Sequence, residues 1–362
     1  MRALVTGGAG FAGSHLVEYL LSRGQEVVVL DRAGERTAIL EHVQNDVRIE
    51  RGNLLDPARL RHVLEDIRPQ RIYHLAAISS PQESFQNPKL AYDVNFTGTL
   101  NLLCAWRDLG IDSRFLFVSS VAVYGATDTP DVPWRELGIE SRFLLVSSVA
   151  VYGTTITPDG PLREDAPMRP ASPYAGSKAA AEMLALQFFQ AYGLPVVRVR
   201  PFNHTGPRQM SSYVCSGFAR QVAEVDLRLR SPQVRVGNLN VRRDFSDVRD
   251  IVRGYYLLLE NGEAGEVYQL CSGVSISIES ILHCLLALSS QPIQVAVDDT
   301  RLRSKESPVI WGDPSKARYG VGWQPQYDLQ VTLRDLKLYW EAQLQKRLAD
   351  RQCPGPPDDG KP

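Results

Sequence analysis

The segment that most constrains the fold is a glycine-rich turn near the N-terminus, which reads TGGAGFAG over residues 6–13. It follows a strand-like run, Arg2–Thr6, and opens a helical stretch, Phe11–Arg23. Glycines at this spacing let the chain turn tightly, let its backbone approach a pyrophosphate and let the helix pack closely on the strand. Free N–H groups at the helix N-terminus then favour the phosphate anion. We therefore predict a dinucleotide-binding turn with cofactor contacts from Gly7, Gly10, Phe11, Ala12 and Gly13.

Strand-like runs alternate with helical stretches through the first 200 residues. This alternation is typical of βαβ units, in which helices cover both faces of a parallel sheet. The predicted fold class is therefore α/β, a Rossmann-type doubly wound parallel sheet with a smaller C-terminal α/β substrate domain. A later run, Glu266–Leu270, is expected to return to the sheet. The predicted strands are Arg2–Thr6, Glu26–Leu30, Val47–Glu50, Arg71–Leu75 and Pro195–Arg200, and the predicted helices are Phe11–Arg23, Pro57–Ile67, Pro88–Asp108 and Ser172–Tyr192.

The chain is long enough for two coupled domains. We expect residues 1–200 to form the dinucleotide-binding domain, with elements near residues 245–272 returning to it. Residues 201–345 are expected to form the substrate domain. Residues 346–362 are rich in proline, glycine and aspartate toward their end, and we expect this tail to be disordered.

Composition argues against several classes of protein. The formal net charge is −1 and the basic residues are spread along the chain, so no basic face is expected for nucleic acid or for a membrane surface. No apolar run approaches the roughly 20 residues of a membrane span, and no apolar signal segment precedes the first strand. Five cysteines without a C-x-x-C pair and six histidines without metal-site spacing indicate free thiols and no metal. We therefore expect a cytoplasmic protein.

A tandem duplication interrupts the predicted nucleotide-binding unit. Residues 109–136 align without gaps to residues 137–164, and six positions of 28 differ. The repeat occurs once and lies inside a single unit, whereas solenoid repeats recur at least three times. One copy is therefore surplus. Each copy carries the segment SSVAVYG, at residues 119–125 and at residues 147–153.

The duplicated segment precedes a single Tyr-x-x-x-Lys pair, Tyr174 and Lys178. Residues four apart share one face of a helix. A tyrosine phenol has an ordinary pKa of about 10 and is a poor acid or base at neutral pH, but a nearby ammonium lowers that pKa. A serine hydroxyl at a strand end can hold a substrate carbonyl beside the phenol. The set predicts a nicotinamide-dependent oxidoreductase that uses Tyr174, Lys178 and either Ser120 or Ser148.

These motifs resemble the extended short-chain dehydrogenase/reductase family of NAD-dependent epimerases and dehydratases, over nearly the whole chain to about residue 345. Within that family, three segments are most similar to GDP-6-deoxy-D-mannose reductases. They read RPFNHTGP at residues 200–207, VGNL at residues 236–239 running into RDFSDVRD at residues 243–250, and VYQLCSG at residues 267–273. The resemblance implies NADPH- or NADH-dependent reduction of GDP-4-dehydro-6-deoxy-D-mannose to GDP-6-deoxy-D-mannose (GDP-D-rhamnose). It also implies a homodimer formed through Pro88–Asp108 and Ser172–Tyr192.

Two alternatives to a reductase stay open at this point. Dehydratases of the family place a glutamate two residues after the catalytic hydroxyl, where this chain has Ala122 in one copy and Ala150 in the other. A methyl group cannot move protons, which favours reduction over a GDP-mannose 4,6-dehydratase. UDP-hexose 4-epimerases also lack this glutamate and differ mainly in the NHTG segment. The alternative from another class is a catalytically inactive NAD(P)-binding protein whose duplication disorders the catalytic strand.

The number of residues that the family places between the catalytic serine and the tyrosine favours the second copy. Ser148 lies 26 residues before Tyr174, whereas Ser120 lies 54 residues before it. Using the second copy would also place the surplus residues before the strand, at the edge of the sheet away from the cofactor. We therefore predict that residues 143–147 form the fifth strand and that Ser148 is catalytic.

The remaining cofactor contacts come from strand ends and one helix. Asp31 would accept hydrogen bonds from the adenosine ribose and favour NAD(H), whereas Arg32 would meet a 2′-phosphate and favour NADP(H). Both cofactors stay open. The resemblance implies further residues that contact the cofactor. They lie near the adenine, at the end of the fourth strand and on a helix, where an asparagine bridges to the active site. These residues are Asn53, Leu54, Leu75, Ala76, Ala77 and Asn95.

The resemblance also implies the substrate contacts. Asn203 is expected to bind the sugar or a phosphate oxygen. Arg243 and Arg303 are expected to hold the diphosphate, because a guanidinium binds phosphate oxygens in a bidentate way. Glu306 is expected to accept hydrogen bonds from the nucleotide, although the family's R-P-x-E pattern reads RSKE here. The role of Arg208, at a position where the most similar relatives carry glycine, stays open.

Overall fold

The computed structural model describes residues 1–32, 35–124, 160–301 and 307–352. These residues form two compact units, which we describe separately. The first unit comprises the described residues within 1–204, 241–275 and 304–326, and the second comprises those within 205–240, 276–303 and 327–362. The domain boundary at residue 200 stays a prediction.

The helices and strands follow one another in the order that the sequence predicts for the first unit. The strands are β1 (Arg2–Thr6), β2 (Glu26–Asp31), β3 (Val47–Arg51), β4 (Arg71–His74), β5 (Arg114–Val118), β6 (Val196–Pro201), β7 (Asn203–Thr205), β8 (Gln233–Val236), β9 (Arg242–Asp247), β10 (Val267–Leu270), β11 (Ser275–Ser277), β12 (Gln294–Val297) and β13 (Val309–Ile310). The α-helices are α1 (Phe11–Ser22), α2 (Pro57–Ile67), α3 (Pro81–Gln86), α4 (Pro88–Tyr92), α5 (Gly98–Leu109), α6 (Pro173–Tyr192), α7 (Val214–Asp226), α8 (Val248–Asn261), α9 (Ile278–Leu286), α10 (Ser315–Val321) and α11 (Leu329–Gln352).

The first unit is built on a seven-stranded sheet in the order β10-β6-β5-β4-β1-β2-β3. Each neighbouring pair in this sheet is parallel. Side chains alternate between two apolar cores, as a strand with a period of two requires. In β5, Leu116 and Val118 enter the core on one face, and Phe115 and Phe117 enter the core on the other. The predicted Rossmann-type parallel sheet is therefore confirmed, as is the return of β10 to it.

The predicted helix Pro88–Asp108 is divided in the structure. It consists of α4, a π-helical turn at Asp93–Thr97 and α5. The π-helical turn is closed by the N–H of Gly98, which donates to the carbonyl of Asp93. Single π-helical turns inside α-helices occur frequently at functional sites, and Asn95 lies in this one.

The first copy of the duplicated segment supplies β5, so the prediction that residues 143–147 form the fifth strand is wrong. Arg114–Val118 pairs with β4 on one side and with β6 on the other. A connection of only four residues joins α5 to β5. Over residues 114–124 the two copies differ at one position, where Phe117 corresponds to Leu145. Phe117 is fully buried, so the first copy places the larger apolar side chain in the core.

The surplus residues therefore follow Tyr124, and both flanks of this segment are anchored. Nη1 of Arg200 donates to the hydroxyl of Tyr124 at 2.5 Å and to the carbonyl of Glu164 at 2.9 Å. The N–H of Leu162 donates to the carbonyl of Trp311 at 2.9 Å. The entropy of closing a loop grows only slowly with its length. A long connection between Tyr124 and Leu162 is therefore tolerated, and the interval from serine to Tyr174 does not decide between the two copies.

Deleting residues 125–152 is expected to leave the fold intact and to raise the free energy of unfolding by about 1 kcal/mol. The deletion joins Tyr124 to Gly153 and shortens the connection to Leu162 from 37 residues to nine. Urea denaturation would measure the change. A matched chain lacking residues 109–136 keeps the second copy instead, and it differs from the first deletion only at Asp112/Glu140 and Phe117/Leu145. A loss of stability in the first deletion would show that the removed residues make stabilising contacts.

The second unit is smaller. Its helix α7 packs against α11 and α9, and β8 pairs in parallel with β12. The indole Nε1 of Trp340 donates to Oγ of Ser216 at 2.9 Å, and Nζ of Lys337 lies 2.8 Å from a carboxylate oxygen of Asp226. These contacts hold α11 on α7.

Three further observations concern the described part of the chain. No helix there has both the length and the apolar character needed to cross a membrane. No group of three histidine, cysteine or acidic residues is placed there to hold a metal ion. Cys104, Cys215, Cys271 and Cys284 are free thiols, as predicted.

Candidate active site

The glycine-rich turn lies between β1 and α1 and has room only for glycine at two positions. Gly7 has φ of +72°, and a Cβ atom there would meet the backbone of Ala76 at 2.8 Å. A Cβ atom on Gly13 would lie 2.1 Å from the carbonyl oxygen of Gly7. Gly10 precedes the first residue of α1 and has no side chain to cap the first-turn N–H groups. The turn therefore fits the pyrophosphate of a dinucleotide, which these N–H groups would bind.

Asp31 supports this turn from the end of β2. Its Oδ2 accepts a hydrogen bond from the N–H of Ala9 at 3.0 Å, and its Oδ1 accepts one from the N–H of Arg32 at 2.8 Å. Arg32 is exposed. Further along, Asn53 is also exposed and accepts a hydrogen bond from the N–H of Leu55, whereas the side chain of Leu54 is buried in the core. The carboxylate of Asp31 thus lies beside the turn, as expected for a group that binds the adenosine ribose.

Lys178 lies at the carboxyl end of β5. Helix α6 is capped by Ser172, whose hydroxyl accepts a hydrogen bond from the N–H of Ala175, and Tyr174 lies in its first turn. One turn later, Nζ of Lys178 donates to the carbonyl of Val118 at 2.9 Å and lies 5.4 Å from the ring centroid of Phe117. The side chain is 5% exposed, and burial lowers its pKa to about 8.

Ser120 follows β5 and therefore lies at the same edge as Lys178. Its Oγ accepts a hydrogen bond from the N–H of Ala122 at 3.1 Å. The 3₁₀ turn Val121–Tyr124 packs against α6, and Val121 shares an apolar cluster with Ala179. The structure thus places the first-copy serine beside the helix of Tyr174 and Lys178. Ser148 lies outside the described residues, so its catalytic role stays a prediction.

The end of β4 and the π-helical turn complete the cofactor side. Leu75, Ala76 and Ala77 follow β4 and are half-buried, and the close approach of Ala76 to Gly7 places them beside the glycine-rich turn. Asn95 is buried, and its Nδ2 donates to Oγ of Ser177 at 2.9 Å, one residue before Lys178. Asn95 thus contacts α6, as expected for a bridge to the active site.

Two of the predicted substrate residues adjoin Asp244, whose side chain is buried. Nδ2 of Asn203 donates to the carbonyl of Asp244 at 3.2 Å, and Arg243 precedes Asp244 in β9. Oδ1 of Asp244 accepts hydrogen bonds from the N–H and the hydroxyl of Ser272, both at 2.7 Å. Burial raises the pKa of Asp244, and these hydrogen bonds partly offset the shift. The predicted contacts Arg303 and Glu306 lie outside the described residues.

Two polar residues that organise the site, Asp244 and His74, were not predicted from the sequence. Asp244 lies in the RDFSDVRD segment, which was interpreted only as a family motif. His74 is a buried polar residue at the carboxyl end of β4, and it pairs in register with Thr6 at the end of β1. Polar residues at the carboxyl ends of adjacent parallel strands meet at one edge of the sheet, and this pattern was the available signal.

Comparison with known families identifies the family of the chain. The family model described as GDP-mannose 4,6 dehydratase matches residues 4–137 and again residues 133–336. The chain belongs to this family. The two matches meet inside the duplicated region, as expected if each takes one copy of the repeat.

Relatives with assigned activities match over nearly their whole length. GDP-6-deoxy-D-mannose reductase from Pseudomonas aeruginosa is 32% identical over 95% of this chain and 99% of its own. GDP-mannose 4,6 dehydratase 1 from Arabidopsis thaliana is 30% identical over 96% of this chain and 92% of its own. The predicted family and enzyme class, an NAD(P)-dependent oxidoreductase acting on a nucleotide sugar, are confirmed at the level of the family.

Solved structures give the same fold. The structure of RMD from Pseudomonas aeruginosa complexed with NADPH has a TM-score of 0.75 and 30% identity, covering 94% of this chain and 99% of that chain. UDP-glucose 4-epimerase from Thermus thermophilus in complex with NAD has the same TM-score, identity and coverage. The two cofactors agree with the expectation of NADP(H) or NAD(H).

Proposed function

We propose that the protein reduces the 4-keto group of GDP-4-dehydro-6-deoxy-D-mannose with NADPH or NADH, giving GDP-6-deoxy-D-mannose (GDP-D-rhamnose). The observation that carries this proposal is Ala122, two residues after Ser120 in the copy that forms β5. A dehydratase of this family would need a carboxylate there to remove a proton from the sugar. The similarity to the reductase of Pseudomonas aeruginosa supports the same reaction.

Each residue of the site has a separate task in this reaction. The nicotinamide cofactor supplies the hydride when it is bound. Ser120 donates a hydrogen bond to the substrate carbonyl oxygen and holds it beside the phenol. Tyr174 gives its proton to that oxygen as the carbonyl is reduced to an alcohol. Lys178 provides the ammonium that favours the resulting phenolate and is expected to bind the nicotinamide ribose.

The substrate side follows from charge and hydrogen bonding. Arg243 would bind the diphosphate, and Asn203 would bind the sugar or a phosphate oxygen. Arg303 and Glu306 are proposed to contact the diphosphate and the nucleotide, respectively.

A homodimer through the helices α4–α5 and α6 is part of the same proposal. Partly exposed apolar side chains on α6, Met183 and Tyr192, support a contact with a second copy.

Oxidation of NAD(P)H at 340 nm with GDP-4-keto-6-deoxymannose would test the function, with the UDP and dTDP analogues as controls. Product NMR would give the configuration at C4. Turnover of the GDP substrate alone supports the proposal. Equal turnover of all three nucleotides contradicts the GDP assignment, and cofactor binding without turnover favours the inactive alternative.

A GDP-mannose 4,6-dehydratase is the second candidate, because the family model carries that name and the Arabidopsis thaliana relative is a dehydratase. That reaction starts from GDP-mannose and needs no added reductant. Incubating the protein with GDP-mannose and catalytic NADP⁺ separates the two candidates. Formation of a 4-keto sugar would contradict the reductase proposal.

The reductase rate is expected to be constant below about pH 8 and to fall above it, because Lys178 loses its proton there. The pKa of Lys178 is lowered from 10.5 to about 8 by burial. Between these values the unfolded chain binds one more proton than the folded chain, so this residue makes the free energy of unfolding rise with pH. A kcat/KM profile from pH 6 to pH 10 measures the alkaline limb. Lys178→Arg keeps the charge and should shift the fall in rate to higher pH. A wild-type profile that stays flat up to pH 10 would contradict the role given to Lys178.

A further inference from the structure

A chain of buried polar side chains runs from the glycine-rich turn to the catalytic helix. Oγ1 of Thr6, the last residue of β1, lies 2.7 Å from Nδ1 of His74. Nε2 of His74 lies 2.9 Å from Oγ1 of Thr99 in α5, and Thr99 Oγ1 donates to the carbonyl of Asn95 at 2.6 Å. Each of these side chains is at most 2% exposed. We call Thr6, His74, Thr99 and Asn95 the relay.

The bonds of the relay have a single direction. Thr99 has one hydroxyl hydrogen, and the carbonyl of Asn95 can only accept it. The Thr99 oxygen must therefore accept from His74, so the ring proton lies on Nε2. Nδ1 is then an acceptor and receives the hydroxyl hydrogen of Thr6, whose oxygen also accepts from the N–H of Ala76 at 3.2 Å. The imidazole is neutral at neutral pH, because burial lowers the pKa of His74 to about 3, and only Nε2 therefore carries a proton.

The side chain of Asn95 carries the relay on to α6. Its Oδ1 accepts from the N–H of Ile78 at 2.8 Å, and its Nδ2 donates to the carbonyl of Ile78 and to Oγ of Ser177. Ser177 in turn donates to the carbonyl of Tyr174 at 2.8 Å. Asn95 therefore fixes the segment after β4 and the first turn of α6 together.

We propose that His74 is a positioning residue for the reaction: through Thr99 it holds the π-helical turn so that Asn95 orients the first two turns of α6, which carry Tyr174 and Lys178. This inference rests on the proposed catalytic roles of those two residues. His74 is 2% exposed and has both ring nitrogens committed to the relay, so it is not placed to contact a substrate. Its effect must pass through Asn95, whose backbone carbonyl is held by Thr99 and whose side chain is held by Ile78 and Ser177.

Thr99→Val tests the relay with a change that preserves shape. The valine leaves Nε2 of His74 and the carbonyl of Asn95 without this hydroxyl. Thr332→Val is a matched control, because Thr332 is also fully buried in a helix and donates to the carbonyl four residues earlier, at Asp328. We expect Thr99→Val to lower kcat by about 10-fold with little change in the dissociation constant of NADPH, since a small misplacement of reacting groups lowers turnover strongly. Thr332→Val should leave kcat unchanged.

Substitution of His74 tests whether a donor at the position of Nε2 is needed. The amide of Gln reaches the position of Nε2 and can donate to Thr99, whereas the shorter amide of Asn reaches only the position of Nδ1. We expect His74→Gln to keep more of the wild-type kcat than His74→Asn. A role in folding alone would lower the melting temperature of both variants without this difference in kcat at temperatures where each is folded.

Amide hydrogen exchange at Ile78 provides a readout that does not depend on turnover. Thr99→Val should speed exchange there, because the Ile78 N–H donates to Asn95, and Thr332→Val should not. If wild type fails to reduce the keto sugar but exchange at Ile78 responds to Thr99→Val, the proposed function is wrong and the relay stands. If exchange at Ile78 and kcat are the same in both variants, the relay proposal is overturned.

Discussion

Replacing Ser120 with alanine is expected to lower kcat for ketone reduction by about 100-fold, because a hydrogen-bond donor aimed at a developing oxyanion contributes that much to the rate. Ser148→Ala is expected to have a much smaller effect. The reason is positional: Ser120 follows the strand that lies between β4 and β6, and the carbonyl of Val118 in that strand accepts a hydrogen bond from Lys178. The bond that Ser120 receives from Ala122 uses an oxygen lone pair, so its hydroxyl can still donate to a substrate.

Ser119→Ala is the control for this experiment. Ser119 is the neighbouring residue, is 3% exposed, and its hydroxyl has no hydrogen-bond partner among the described residues. Its loss should leave kcat within about twofold of wild type, the range of an ordinary substitution that removes no interaction. A large loss from Ser148→Ala with an active Ser120→Ala would show that the second copy supplies the hydroxyl. Activity in both single variants but not in the double variant would show that the copies substitute for each other.

The strands and most helices could be predicted because their signals are local. Helix α2 has the predicted bounds, since Asp56 accepts a hydrogen bond from the N–H of Arg59 and Pro57 begins the helix. The division of the predicted helix Pro88–Asp108 by a π-helical turn was not predictable. Apolar periodicity is nearly the same on both sides of such a turn, and the turn depends on contacts of Asn95 with residues distant in the sequence.

The choice between the two copies could not be made from local pattern, because the copies are nearly identical over the strand and the motif. The interval to Tyr174 favoured the second copy, yet intervals constrain a fold weakly when a loop is long. What distinguishes the copies is tertiary: the burial of Phe117 and the short connection from α5. The relay was missed for a similar reason, since only the packing of α5 brings Thr99 to His74.

Replacing Glu182 with glutamine is expected to lower the free energy of unfolding by about 3–5 kcal/mol, as for removal of one member of a buried ion pair. Glu182 is fully buried in α6, and its Oε1 accepts from Nη2 of Arg200 at 2.7 Å and lies 3.4 Å from Nη1 of Arg198. Burial lowers the pKa of Arg198, and Glu182 only partly offsets this. For Arg200, burial acts in the same direction, but the hydrogen bonds and charge of Glu182 outweigh it and raise the pKa. Without the carboxylate, two guanidinium groups would be buried side by side.

Urea denaturation measures this loss, and Glu266→Gln is the control. Glu266 pairs with Lys316 at 2.6 Å, but its side chain is 45% exposed, so its loss should lower stability by less than about 1 kcal/mol.

The double variant Glu182→Leu, Arg200→Met separates charge from packing, because apolar replacement of a buried pair is often neutral. We expect only partial recovery, since Arg200 also anchors Tyr124 and Glu164 at the two flanks of the duplicated segment. Full recovery would mean that these anchors contribute little, and equal losses for Glu182→Gln and Glu266→Gln would contradict the buried ion pair as a stabilising unit.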